Sequence, residues 1–170
     1  MQIRPIQVSD IERFTELWNR VYAEGKYLRS PAPDKDTLTN ILRRVELESI
    51  PQFVALDNHV LIGSVEIFPA ELCGYEGCQL TSTGILGIHI DRTFRGKGLG
   101  KQLLSVALKS AWEYGYDTIV LNVYKDNLAA IALYERFGFE HHGELGEVTL
   151  PNGEVLMSQK MMLSAPNNPQ

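Results

Sequence analysis

Cysteine is scarce in this chain: only Cys73 and Cys78 occur, with four residues between them and no His or Cys pair nearby to complete a tetrahedral zinc site. A disulfide scaffold and a zinc module are thereby excluded, and both thiols read as reduced. Long apolar runs are missing too. No stretch approaches the roughly 18 uninterrupted apolar residues of a membrane span, and the start "MQIRPIQVSD" lacks the basic-then-apolar pattern of a secretory leader. The expectation is a cytoplasmic protein with no membrane partner. Positive charge is the minority, with 16 Lys and Arg against 21 Asp and Glu and a net charge of −5. That balance argues against a nucleic-acid partner, which would want a basic face, and favours cationic small molecules. His141 and His142 are adjacent, so on a strand they point to opposite faces and make a poor ligand pair. No metal is expected.

What is present suits one soluble α/β domain. Hydrophobic residues make up 44% and charged residues 22%, enough for a core without cross-links. The domain is assigned to residues 1–163 and the polar "SAPNNPQ" at 164–170 to a tail. Ile3 and Ile6 mark a first strand. Ile11, Phe14, Leu17, Trp18 and Val21 recur at helical spacing, with Ser9 or Asp10 placed to cap, and the helix ends near Gly25. "KYLRSPAPDKD" reads as a loop and Leu38, Ile41, Leu42 and Val45 as a second helix. Two strands follow about an Asp57-Asn58 turn. The nearly uncharged "TSTGILGIHID" reads as a central strand. Helical spacing resumes from Gly98 until "EYGYD", then come the strand "TIVLNV", the helix "NLAAIALYERFGF" stopped by Gly138, and two closing strands around Pro151-Asn152-Gly153. The order β-α-α-β-β-β-α-β-α-β-β describes a mixed sheet of about seven strands flanked by about four helices. The exposed closing strands leave room for a homodimer.

Chemistry concentrates in "DRTFRGKGLGKQLL", Asp91 to Leu104. A strand that feeds a helix through glycines exposes main-chain N–H groups at the positive helix end, which suits a phosphate. A Walker A loop would need a glycine where Arg95 stands and a Ser or Thr where Gln102 stands. A dinucleotide fingerprint would need its third glycine one residue later than "GKGLGK" puts it. The remaining pattern, R-x-x-G-x-G, is matched by Arg95, Gly98 and Gly100. A second block follows, N-x-x-A-x-x-x-Y-x-x-x-G-F, matched by Asn127, Ala130, Tyr134, Gly138 and Phe139.

On these two blocks, in this order and separation, the chain resembles the GNAT superfamily of N-acetyltransferases, most closely between Ile85 and Glu140. The resemblance implies the GNAT fold and acetyl-CoA as acyl donor. Main-chain N–H groups from Arg95 through Gly96, Lys97, Gly98, Leu99 and Gly100 to Lys101 would cradle the pyrophosphate, with Arg95, Lys97 and Lys101 adding charge. The pantetheine arm would lie along Ile88-His89-Ile90, where this strand splays from "TIVLNV", and a main-chain N–H there would steady the oxyanion. Asn127 and Ala130 would flank the arm. Tyr134 would protonate the departing thiolate. No partnered Cys or Ser nucleophile is visible, which agrees with direct transfer in a ternary complex.

The general base is harder to place. A lysine-like amine of pKa about 10.4 is neutral only about once in 2,500 molecules at pH 7, so it needs a base far more than an α-amino group does. Thr83, Gly84, Ile85 and Leu86 hold the positions some family members use. Glu66 is then the choice. His89 reads as a partnered, non-catalytic residue facing away from the acceptor side, and water relayed to main-chain carbonyls is the rival base. The acceptor is expected to be a primary amine of a small molecule such as an amino acid or polyamine, met by Tyr27 and Arg29 in the loop after the first helix and by the closing hairpin. The alternatives are acetylation of a protein lysine or N-terminus, and a CoA-binding regulatory module without turnover.

Overall fold

The structure is a computed structural model that describes residues 1–73 and 82–166. Cys78 and residues 167–170 of the tail lie outside them, and Cys73 has an exposed, free thiol. The elements are β1 (Gln2–Pro5), α1 (Ile11–Tyr22), α2 (Lys35–Glu48), β2 (Gln52–Asp57), β3 (Val60–Pro69), β4 (Thr83–Ile90), α3 (Leu99–Tyr114), β5 (Thr118–Tyr124), α4 (Leu128–Arg136), β6 (Glu140–Thr149) and β7 (Val155–Ser164). They follow the expected order. One seven-stranded sheet runs β1-β2-β3-β4-β5-β7-β6, antiparallel throughout except where β4 meets β5. The nearly uncharged β4 is its middle strand.

Local chemistry moved three boundaries. Asp10 does not cap α1 through its side chain. Its carboxylate is fully buried and accepts two bonds from the Arg4 guanidinium, at 2.7 and 2.8 Å, and one from the Gln7 N–H at 3.0 Å. An ion pair outcompetes a capping bond because both partners keep their charge. The β2–β3 turn is centred one residue later than expected, with Asn58 (φ 46°) and His59 (φ 67°) both left-handed. That is the twist a two-residue hairpin requires. Asp34 accepts from the Thr37 N–H and so starts α2 at Lys35, two residues ahead of the expected "TLTN".

Two apolar clusters sandwich the sheet. Phe14 and Leu17 of α1 and Leu38 and Leu42 of α2 close over Val54 and Leu61 on one face. Leu103, Leu104 and Ala107 of α3, with Tyr134 of α4, cover Val65, Ile67, Ile119 and Leu121 on the other. The amphipathic spacing of the helices thus decides which face each covers.

The central seam is short. β4 and β5 pair only through Thr83–Ile85 and Thr118–Val120, although β4 runs on to Ile90 and β5 to Tyr124. Beyond the seam a wedge opens between them. The Asp91 N–H bonds the Ile62 carbonyl at 2.9 Å, so alternation along β4 turns the main-chain groups of Ile88 and Ile90 away from β3 and into the wedge.

Candidate active site

The glycine-rich turn closes the wide end of the wedge. Asp91 fixes its entry by accepting from the Thr93 N–H (3.0 Å) and hydroxyl (2.7 Å). Gly98, at φ 83°, is the N-cap of α3 and offers no side-chain cap. A side chain at Gly96 or Gly98 would meet nothing within 4 Å. The first N–H groups of a 16-residue helix therefore face open space beside the exposed Lys97 and Lys101. This is a surface that fits a diphosphate. Gly100 works differently: a Cβ there would stand 3.0 Å from Leu133 Cδ2 and 3.3 Å from Ile90 Cδ1, so it lets α3 approach α4 and β4 rather than clearing phosphate. Leu99 contributes only its main chain, since its side chain is 3% exposed in the core.

Arg95 has partners elsewhere in the chain. Its guanidinium pairs with Glu24 through two 2.7 Å bonds, and its Nε donates to the Ile90 carbonyl at 2.8 Å. The charge expected to meet phosphate is committed to a carboxylate, and one of the main-chain groups facing the wedge is already occupied. Lys97 lies 5.6 Å from the Phe94 ring centre.

Tyr134 and Glu66 stand on opposite faces of the sheet. Tyr134 is 6% exposed, its ring 5.8 Å from that of Phe139. Burial, and then the negative charge of Glu66, push its hydroxyl pKa well above the ordinary phenol value. It holds its proton firmly. Asn127 starts the helix carrying Tyr134 by accepting from the Ala130 N–H at 3.3 Å, and Ala130 packs half-buried against the core.

Register sets Ser64 opposite His89 and Glu66 opposite Gly87, so Glu66 and His89 share the face covered by α1. The Glu66 carboxylate lies over Gly87, where a Cβ would come within 3.1 Å of its Cδ. Its Oε1 is 3.7 Å from His89 Nδ1, too far for a hydrogen bond. Among the described residues, Glu66 Oε2, His89 Nδ1 and Ser64 Oγ are buried without hydrogen-bond partners. Burial raises the Glu66 pKa, with His89 opposing, which makes it a stronger base than an ordinary carboxylate. His89 stacks on Trp18 of α1, with ring centres 4.7 Å apart at 29°. It is a packed residue, on the same face as Glu66.

A pocket of about 330 Å³ is lined by Tyr27, Leu28, Arg29, Asn122, Val123, Tyr124, Val148 and Ser158. The structure thus brings together Tyr27, Arg29 and the closing hairpin at the outer half of β5, the half that faces the wedge. Tyr27 stacks on Tyr124 (5.9 Å, 27°) and holds a left-handed φ of 61°. Its pKa is raised by burial and then by Asp126 and Glu154, with Arg95 opposing. Burial also raises the Tyr124 pKa, with Arg29 opposing. Asn152 of the β6–β7 turn donates to the Gly25 carbonyl at 3.4 Å. Trp18, Glu24, Tyr124 and Ser158 were not singled out from the sequence. Trp18 was legible only as part of an apolar stripe, and the pairing of Glu24 with Arg95 leaves no local signal.

The Acetyltransferase (GNAT) family model matches residues 11–139. The chain belongs to the GNAT acetyltransferase family. It is 40% identical over 73 residues to the spermine/spermidine N(1)-acetyltransferase of Bacillus subtilis, a match covering 42% of this chain and 45% of that one. The chain therefore spans less than half the length of this relative. Among solved structures it is similar to one from Salmonella typhimurium determined with its cofactor acetyl-CoA (22% identity, TM-score 0.86, 99% of this chain and 96% of that one). It is also similar to a phosphinothricin acetyltransferase from Sinorhizobium meliloti in complex with AcCoA (22% identity, TM-score 0.81, 96% and 87%). A ribosomal-protein-alanine N-acetyltransferase from Brucella melitensis shares the fold as well (20% identity, TM-score 0.85, 97% and 100%). Among the described residues no helix is long and apolar enough to cross a membrane.

Proposed function

We propose that the protein is an N-acetyltransferase that moves an acetyl group from acetyl-CoA directly to the primary amine of a small molecule within a ternary complex. The observation that carries this reading is the wedge: its open end has an uncapped helix start beside β4 and the Tyr27–Arg29 pocket against the half of β5 that β4 leaves unpaired. Acetyl-CoA supplies the activated thioester. Main-chain N–H groups from Gly96 to Lys101, with Lys97 and Lys101, hold its phosphates. The Ile88 N–H and C=O and the Ile90 N–H line its arm, and an N–H of this edge donates to the carbonyl oxygen under attack. Tyr134 gives its proton to the leaving sulfur, and Glu66 takes one from the acceptor ammonium.

The acceptor pocket supports a small amine of mixed charge. Arg29 suits a carboxylate, and the acidic Asp126 and Glu154 act on the Tyr27 side of the same pocket. The Bacillus subtilis relative favours a polyamine. The test is a panel of spermidine, free amino acids, phosphinothricin and peptides with acetyl-CoA, following thiol release. Turnover on a small amine is expected. Turnover on peptides alone would transfer the activity to protein acceptors, and tight CoA binding with no turnover would make this a regulatory module. Tyr134→Phe should lower kcat about 100-fold with acetyl-CoA affinity unchanged; an unaltered kcat removes the acid role.

A further inference from the structure

Resting on the acetyl-transfer reading, we infer that Glu24 is a positioning residue: its paired bonds to Arg95 hold the acceptor loop against the donor turn, and the donor site does not depend on the Arg95 charge. Each of the three guanidinium nitrogens donates one hydrogen bond. Two nitrogens meet the two Glu24 oxygens at 2.7 Å each, and the third donates to the Ile90 carbonyl at 2.8 Å. The side chains are only 38% and 18% exposed, and a planar, bidentate, partly desolvated pair of this kind is the strong form of the interaction.

Its position gives it purpose. Glu24 follows α1 directly, and Tyr27 and Arg29, which line the acceptor pocket, lie just beyond it. Arg95 opens the glycine-rich turn, and Ile90 ends the strand edge that faces the wedge. One ion pair therefore joins the acceptor loop, the donor turn and the reacting edge. A second tie runs parallel, from Arg20 near the end of α1 to Asp91 at 2.9 Å and to the Leu61 carbonyl at 2.8 Å. At the residue after Glu24 the loop is also fastened by Asn152, which donates to the Gly25 carbonyl. Tyr27 sits in left-handed backbone, a conformation that costs free energy in a non-glycine residue and persists only when neighbours impose it. Glu24 and Gly25, tied to Arg95 and Asn152, anchor the chain just before that strained residue. Lys97, Lys101 and the main-chain donors remain for phosphate, so the positive charge at Arg95 serves the acceptor side.

The experiment compares the full chain with Glu24→Gln, Arg95→Gln and the double variant. Three quantities are read: acetyl-CoA Kd, amide hydrogen exchange over residues 23–31, and steady-state kinetics with spermidine and with methionine as acceptors. Each single variant should speed loop exchange about tenfold and raise acceptor KM about tenfold, with kcat within about threefold and acetyl-CoA Kd within about twofold. The double variant should be no worse than either single one, because both remove the same bond. Glu24→Asp, which keeps the charge, should recover part of the acceptor KM. Tenfold weaker acetyl-CoA binding in Arg95→Gln would overturn the inference by making the guanidinium a phosphate ligand. Unchanged loop exchange, or additive effects in the double variant, would overturn it as well. If neither amine turns over, the small-amine reading fails while the exchange and Kd measurements still decide the role of Glu24.

Discussion

Burial pushes Tyr134 and Glu66 the same way, toward their protonated forms, but the consequences for their proposed roles differ. A phenol held above its ordinary value of 10.0 keeps a proton to give across the working pH range. A carboxylate held above its ordinary 4.5 is a better base, yet loses its charge sooner as pH falls. The pH profile of kcat/KM should therefore fall on the acid side with a midpoint above that of an ordinary carboxylate, and should show no loss near pH 10, the ordinary tyrosine value. Glu66→Gln should remove the acid limb and slow lysine-like amines about 100-fold, with less effect on α-amino groups, which are already partly neutral. An acid limb that survives the substitution assigns it to another group. Tyr134 was legible because its block fixes the spacing from Asn127. The isolation of the Glu66 carboxylate was not, because it depends on which residue of β4 register places opposite it.

At the scale of elements, Gly87 shows how much register decides. The absent side chain of β4 leaves the space that the carboxylate of β3 fills. Gly87→Ala adds one methyl that displaces a flexible carboxylate rather than backbone, so stability should fall by less than about 1 kcal/mol. Turnover should fall as far as it does in Glu66→Gln, measured on the same amine. Loss of folding without a matching loss of turnover per folded molecule would detach Gly87 from the chemistry. Helices, the succession of elements along the chain and the glycine-rich turn could be read from periodicity and spacing because those signals are local. The shifted β2–β3 turn and the diversion of Asp10 from capping to Arg4 were not, since each was decided by a partner from another element or by the twist of paired strands. Arg95 repeats the lesson at the site: its pattern was right and its partner, Glu24, lies in another part of the chain.

For the whole molecule, the fully buried Asp10 is the charged group to weigh first among the described residues. Burial alone would raise its pKa. The Arg4 bonds, the Gln7 N–H and the charges of Arg4 and Arg13 outweigh that and lower it below the ordinary 3.8. A depressed carboxyl pKa stabilises the fold above the unfolded value and loses that contribution as pH falls through the folded one. Asp10→Asn should cost about 2 to 3 kcal/mol in urea unfolding near pH 7. The gap from the unsubstituted protein should narrow below pH 3.8; a constant gap would mean that packing rather than charge is lost.

The short seam between β4 and β5 also shapes how the chain reaches its native state. β2–β3 and β6–β7 are hairpins that zip from their turns, and each nucleates an antiparallel leaf. Joining the leaves requires parallel pairing of Thr83 with Thr118, which waits on the crossover through α3. With so few rungs to reward that closure, leaf docking is expected to be the slow step of assembly, and stopped-flow refolding of a Thr118→Gly variant should be slowed more than its unfolding is sped. The gap proposed to admit acetyl-CoA is then also the place where folding is expected to commit last.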